Sequence, residues 1–269
     1  MADKNIIHVS DLTKTFNGFT AVNHISFSVA AGEIFAFLGP NGAGKSTTIN
    51  MLTTLLRPTS GSISLNGYDP VTSPHRVRQS FGIVFQDPSL DEDLTAWENM
   101  DYHGILYGIS RNIRGKRSEE LLKIVELWER RKEQVKKFSG GMKRRLEIAR
   151  GLLHHPKILF LDEPTLGLDP QTRSLIWNYI KGLNQSEGTT IFLTTHYMEE
   201  AERVAHRIAI IDHGKIIVHG TPDELKAQTG TSSLEAAFIA LTGRDIRDEE
   251  PNNLDQMRMR RKIFRRHQR

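Results

Sequence analysis

The chain contains no cysteine among its 269 residues. That excludes disulfides and cysteine-held zinc, and it suits a reducing compartment. No apolar run approaches the ~20 residues needed to span a bilayer, and the first residues lack the apolar stretch of a secretion signal. The protein is therefore expected in the cytoplasm. No repeat of 20–50 residues is visible. Most of the chain also lacks an excess of positive charge. Residues 251–269 hold seven Lys or Arg and one Asp, so they account for the formal net charge of +4 and leave 1–250 at −2. The body is not a basic nucleic-acid binder by charge, and no nucleic-acid partner is expected. Residues 257–269 mix these cations with Met257, Met259, Ile263 and Phe264. They read either as a flexible, solvated basic tail or as a patch for an anionic membrane surface, where each basic residue contributes about 1 kcal/mol.

What is present begins at Gly39, Pro40, Asn41, Gly42, Ala43, Gly44, Lys45 and Ser46. This run fits G-x-x-x-x-G-K-[ST]. Its glycines let successive backbone N–H groups turn toward a polyphosphate, Lys45 reaches the terminal phosphates, and the Ser46 hydroxyl suits Mg²⁺. The short apolar run 33–38 before it reads as a buried strand. Residues 47–55 after it have helical spacing, which predicts phosphate at a helix N-terminus. Nucleotide binding follows from that context, where a bare Gly-rich turn would not imply it.

Further strands are predicted near 5–11, 22–29, 61–65, 81–85, 157–161, 189–193, 206–212 and 215–219. The first few strands leave no room for helices between them and predict antiparallel pairing, whereas the later ones alternate with helical segments such as 170–184, as in a parallel sheet. Residues 90–155 carry apolar residues at helical spacings and read as a helical subdomain inserted into an α/β core. Thr221 and Pro222 predict a capped helix start, and 233–241 a further short helix with one apolar face.

Two more segments carry chemistry. The apolar run 157–161 leads into Asp162 and Glu163. Alternation along a strand would point these two acids in opposite directions, leaving Asp162 for Mg²⁺, through water, and Glu163 for the attacking water. Ser139, Gly140 and Gly141 precede a helical segment. Alone they are an ordinary helix cap, and beside a P-loop they become a second candidate for binding an anion.

The ordered set formed by residues 39–47, Gln86, 139–142, 161–164, 167–169 and 195–196 resembles the ATP-binding subunit of an ABC transporter, over roughly 3–243. The resemblance implies an α/β P-loop NTPase fold of ABC type, with a mixed sheet core, an antiparallel β subdomain and the inserted helical subdomain. The cassette would span 1–243, with its helical part at about 90–155, and 244–269 would form the charged tail. Phe16 would stack on the adenine of ATP. Residues 39–46 and Thr47 would hold the phosphates, with Ser46, Gln86 and Asp162 at Mg²⁺. Glu163, His196, Lys45 and Gln86 would be catalytic. Ser139, Gly140 and Gly141 would grip ATP held by a second ATPase subunit in a head-to-tail dimer, with Asp169 crossing that interface. The loop 87–95 would face a separate transmembrane permease.

Met142, Phe138 and Gly167 depart from the family's usual Gln, Leu and Ser or Ala. Related soluble ATPases fit less well. Translation factors carry two cassettes, chromosome-structure ATPases insert long coiled coils, and the excision-repair ATPase needs cysteine-bound zinc. The segments 194–202, 220–225 and 233–243 are most similar to the drug and antibiotic exporter branch, which pairs with ABC-2-type permeases. Export of a drug-, antibiotic-, lipid- or polysaccharide-like substrate is the expectation, at the cytoplasmic face of the membrane. A soluble ATPase acting on a nucleoprotein complex is the alternative.

Overall fold

The computed structural model describes residues 5–243, and the basic segment 244–269 lies outside them. All nine expected strands form, and they divide between two sheets. β1 (Asn5–Phe16), β2 (Phe19–Ala30) and β4 (Ser60–Leu65) make an antiparallel sheet in the order β2-β1-β4. β3 (Ile34–Leu38), β5 (Phe81–Val84), β6 (Ile158–Asp162), β7 (Thr190–Thr194), β8 (Arg207–Asp212) and β9 (Lys215–Gly220) make a second, in the order β5-β6-β7-β3-β8-β9. Its first five members pair in parallel and β9 runs antiparallel at the edge.

Two strand expectations need correction. β3 lies close to β2 in the chain, yet it pairs with β7 and β8 in the parallel sheet. β1 does not stop at Asp11. Asp11 and His24 both adopt positive φ, 53° each, and the register shifts between Val9 and Leu12, so both strands continue past an irregularity. The His24 ring lies 2.7 Å from the Asp11 carboxylate across it.

Strands buried on both faces read as continuous apolar runs, and β3, β6 and β7 are buried at every position. Their side chains still alternate. Ile34, Ala36, Leu38, Leu159, Leu161, Ile191, Leu193, Ile208 and Ile210 enter one core. Phe35, Phe37, Phe160, Phe192, Ala209 and Ile211 enter the other, under the antiparallel sheet. Phe27 of β2 bridges the two sheets, with its ring centroid 5.7 Å from Phe35 and 6.0 Å from Phe192. Each buried phenyl contributes about 2–3 kcal/mol through the water it sheds.

Helices α1 (Lys45–Leu52) and α2 (Pro74–Ser80) belong to the first half of the chain, followed by α3 (Ala96–Leu106), α4 (Arg111–Ile124) and α5 (Gly140–Gly151). Leu121, Leu122, Leu146 and Ile148 of this helical stretch share the aliphatic core with the sheet. Gly82 has to be glycine for α5 to dock, because a Cβ there would lie 2.1 Å from the Gly151 carbonyl oxygen. Arg117 of α4 pairs with Glu187 at 2.8 Å, the last residue of α6 (Pro170–Glu187). α7 (Met198–Val204), α8 (Pro222–Thr229) and α9 (Leu234–Thr242) complete the chain. The expected start at Thr221 is a full capping box with Glu224. Ser233 caps α9, whose Leu234, Ala237 and Phe238 are buried. Among the described residues no helix is long and apolar enough to cross a membrane.

Candidate nucleotide site

Residues 39–44 leave the end of β3 and turn into α1. Gly42 and Gly44 take φ of 80° and 111°, and Gly44 is the N-cap of α1, a conformation open to glycine at little cost. Gly39 is excluded from carrying a side chain by space, since a Cβ there would sit 2.3 Å from the Ile211 carbonyl oxygen. Lys45 is buried, and its Nζ donates to the carbonyls of Gly39 at 2.7 Å and Pro40 at 3.3 Å. Asn41, Gly42 and Ser46 are exposed, while Ala43 is buried and Thr47 half-buried. Ala21 of β2 passes within 2.6 Å of a Cβ placed on Gly44, which brings the β1–β2 hairpin beside the loop. Phe16, opposite Phe19 in that hairpin, is 42% exposed with Lys14 Nζ 5.0 Å from its ring.

Asp162 ends β6 and is 8% exposed. Its Oδ1 accepts a hydrogen bond from Thr194 Oγ1 at 2.6 Å. Burial pushes its carboxyl above the usual range, and the Thr194 hydroxyl opposes that push. Glu163 is not in strand geometry. Its φ of 49° turns the chain, so this backbone twist, and not strand alternation, separates the two acids. Glu163 N–H donates to the carbonyl and hydroxyl oxygens of Thr194, each at 3.2 Å. Glu163 Oε2 accepts from His196 N at 3.3 Å and lies 2.9 Å from His196 Nδ1. With the carboxylate ionised, that contact places the imidazole proton on Nδ1. Gln86 sits two residues beyond β5 and is half-buried.

Ser139, Gly140 and Asp169 form a second group. Ser139 caps α5, accepting from Met142 N at 3.3 Å. Asp169 caps α6, accepting from Thr172 N at 2.9 Å and Thr172 Oγ1 at 2.6 Å, and these bonds hold its carboxyl below the usual range. All three are exposed. The closest approach at Gly141 is internal, because its Cβ would meet Thr172 Cγ2 at 2.6 Å. Gly167 adopts φ of 72°, which suits glycine where the resemblance has Ser or Ala. Met142 is buried, with its sulfur 3.3 Å from Arg130 Nη1, so this departure fills an apolar position.

Sequence reasoning missed Arg144, Glu147 and Thr194. Arg144 is 6% exposed and donates to three backbone carbonyls, those of Phe85, Gln86 and Glu163. Spacing alone did not reveal it, since Arg144 sits in the basic run Lys143, Arg144, Arg145 and a buried arginine looks there like its more exposed neighbours. It also missed a groove of about 480 Å³ beside the loop after β5, lined by Ser89, Leu94, Asn99, Tyr102, Leu106 and Arg150 among others.

From the wall of that groove inward, His103, Tyr107 and His154 pack ring on ring, Tyr107 and His154 at 3.8 Å. Burial is the chief cause that lowers His103 to about 3 and His154 to about 4, with Arg150 beside the first and His155 beside the second adding to it. Both stay neutral in the fold while an unfolded histidine titrates near 6.5. As pH falls below about 6.5 the unfolded chain takes up protons that the folded chain does not, so stability drops, by up to about 2 kcal/mol per histidine at pH 5. Thermal melts are expected to show Tm falling between pH 7 and 5. A His103→Gln/His154→Gln double variant should show a flatter profile, and an equal slope in both proteins contradicts the assignment.

Among the described residues no cluster of three or more His, Cys, Asp or Glu side chains is arranged to hold a metal. Ser46, Asp162 and Gln86 each carry an oxygen of the hard kind that suits Mg²⁺, an ion that also draws ligands from substrate phosphate and water.

A family profile for ABC transporters matches residues 22–166. The daunorubicin/doxorubicin resistance ATP-binding protein DrrA of Streptomyces peucetius is 45% identical over 228 residues, 85% of this chain and 69% of that one. The Nod factor export ATP-binding protein I of Ralstonia nicotianae is 44% identical over 220 residues, 82% of this chain and 68% of its own. An ATP-binding cassette solved as a dimer in a post-hydrolysis state, bound to ADP and phosphate, superposes with a TM-score of 0.73 at 29% identity, covering 80% of this chain and 98% of that one.

Proposed function

The chain belongs to the ABC transporter family as an ATP-binding subunit, and we propose that two such subunits close head to tail on two ATP molecules to drive export through a separate permease. The observation that carries the catalytic reading is Glu163. It is buried, held by Thr194 at its N–H, and has its carboxylate on His196 at 2.9 Å. A carboxylate so fixed orients water and takes its proton as the water attacks the terminal phosphate. Lys45 and the N–H groups of 39–47 hold the phosphates, and Phe16 stacks on adenine. Ser46 and Asp162 would hold Mg²⁺, with Gln86 beside them, and when bound the ion supplies charge neutralisation between phosphate oxygens. His196 keeps Glu163 aimed through Nδ1 and, with a second proton on Nε2, would donate to the γ-phosphate.

The exposed Ser139, Gly140 and Asp169, with the half-buried Gly141, serve the partner subunit's ATP. The exposed start of α5 supports this for Ser139 and Gly140, because the positive end of a helix attracts an anion; Asp169, itself an acid, would meet the partner chain across the interface. The cassette comprises 1–243, with 90–155 as its helical part. The groove beside α3, rimmed by the exposed Tyr102 and Leu106, receives an ABC-2-type permease at the cytoplasmic face of the membrane. The drug-resistance and export roles of the relatives support a drug-, antibiotic-, lipid- or polysaccharide-like cargo.

The test is to express tagged Glu163→Gln protein in its native host and solubilise the membranes in mild detergent. A polytopic membrane protein should co-purify in stoichiometric amount. Recovery from the soluble fraction alone, with a nucleoprotein partner, overturns the transport assignment and leaves the ATPase.

A further inference from the structure

β5 and β6 are paired neighbours, Val84 opposite Leu161. Past their ends the ladder is lost; the Glu163 carbonyl accepts from Leu166 N–H at 3.2 Å, and its second lone pair, with the carbonyls of Phe85 and Gln86, takes side-chain donors. Arg144 supplies them. Its Nη1 donates to Phe85 O at 2.5 Å and its Nη2 to Gln86 O and Glu163 O, each at 3.2 Å. Glu147, one turn on and 2% exposed, pairs with Arg144 Nη1 at 3.1 Å. Its other oxygen accepts from Ser89 N at 2.7 Å. Arg150 continues the same face of α5 and donates to Ser89 O at 2.9 Å. One helix face therefore grips the loop after β5 at residues 85, 86 and 89, and the loop after β6 at 163.

The consequence lies in Glu163. Its left-handed backbone, φ 49°, is strained for a residue with a side chain and is retained only where its surroundings fix it. Thr194 fixes the N–H side, His196 the carboxylate, and Arg144 together with Leu166 N–H the carbonyl side. The helix that carries Arg144 is capped by Ser139. A displacement of that helix start therefore reaches Gln86 and Glu163 through one rigid guanidinium, whose planar fork serves several acceptors at once where a lysine ammonium cannot match the geometry.

We infer that Arg144 is a positioning residue that ties engagement of the Ser139 loop to the placement of Gln86 and Glu163 in the same chain. This rests on the reading above, in which the loop binds the partner subunit's ATP and Glu163 activates water. Each subunit then aligns its own water-activating group when its helix start closes on the opposite nucleotide.

Arg144→Lys is expected to lower kcat at least tenfold with KM for ATP within about threefold of the parent. In a Glu163→Gln background it should leave ATP affinity and ATP-dependent dimerisation in place, since the arginine is buried and its hydrogen-bond partners are Glu147 and the carbonyls of 85, 86 and 163. A residue with a merely structural role would move Tm, affinity and dimerisation together with kcat, and that pattern overturns the proposal, as does an unchanged kcat. The Arg144→Met/Glu147→Leu variant, which removes the buried charge pair as a unit, should reproduce the split.

A double-mutant cycle reads the coupling. Ser139→Ala should cost much less kcat in Arg144→Lys than in the parent, and strict additivity rejects the link between them. If Glu163→Gln itself hydrolyses ATP at the parental rate, the catalytic reading of Glu163 is what fails, and the Arg144 variants are not needed to see it.

Discussion

Glu163→Gln will bind ATP with parental affinity and release phosphate at least 100-fold more slowly. The substitution keeps size and shape at a position that is 8% exposed, so packing is conserved. The amide oxygen can still accept from His196, whose N–H and Nδ1 lie 3.3 and 2.9 Å from the present carboxylate oxygen. What disappears is the negative charge and the capacity to accept a proton, and positioned general bases contribute about 10²–10⁴ in rate. The binding residues 39–47 are untouched. Because ATP is no longer consumed, the closed dimer should persist, and gel filtration with ATP should show a dimer where the parent returns to monomer. Phosphate release within threefold of the parent would remove Glu163 from the mechanism.

Lys45→Ala fails one step earlier. The Lys45 ammonium is buried against the Gly39 and Pro40 carbonyls, in the loop that the reading assigns to phosphate. A charge-assisted bond to phosphate contributes about 1.5–3 kcal/mol. Its loss, with more than one phosphate oxygen involved, should raise the Kd for ATP by about 100-fold. Equilibrium titration with a fluorescent ATP analogue measures this, and Tm within a few degrees of the parent separates lost binding from lost fold. Combined with Glu163→Gln, Lys45→Ala should abolish the ATP-dependent dimer. Unchanged affinity would show that the phosphates bind elsewhere.

Much of this was legible in the sequence because the signals are local. Gly39–Lys45, the Thr221 cap and the apolar runs of the central strands each declare themselves within a few residues, by φ requirement, hydrogen-bond capacity or burial. Non-local choices were not legible. Nothing near residues 34–38 says that they pair with 190–194 and not with the adjacent β2. The left-handed turn at Glu163 is set by Thr194, a residue 31 positions away. Arg144 was missed for the same reason, since its three acceptors come from other segments. The Asp11 irregularity lay hidden because its partner, His24, is on the neighbouring strand.

The alternation within the parallel sheet also bears on how this sequence can drift through evolution. Along β3 the aliphatic residues Ile34, Ala36 and Leu38 enter one core and Phe35 and Phe37 the other. Insertion or deletion of one residue in such a strand exchanges the two sets. Phenyl rings would then be forced among helices shaped for aliphatic neighbours, while the aromatic layer around Phe27 and Phe192 would empty. Divergence in β3, β6 and β7 is thus confined to substitution within each face. Changes of length accumulate in the loops, so the spacing between the chemical motifs is free to vary while the phase of each strand is inherited intact.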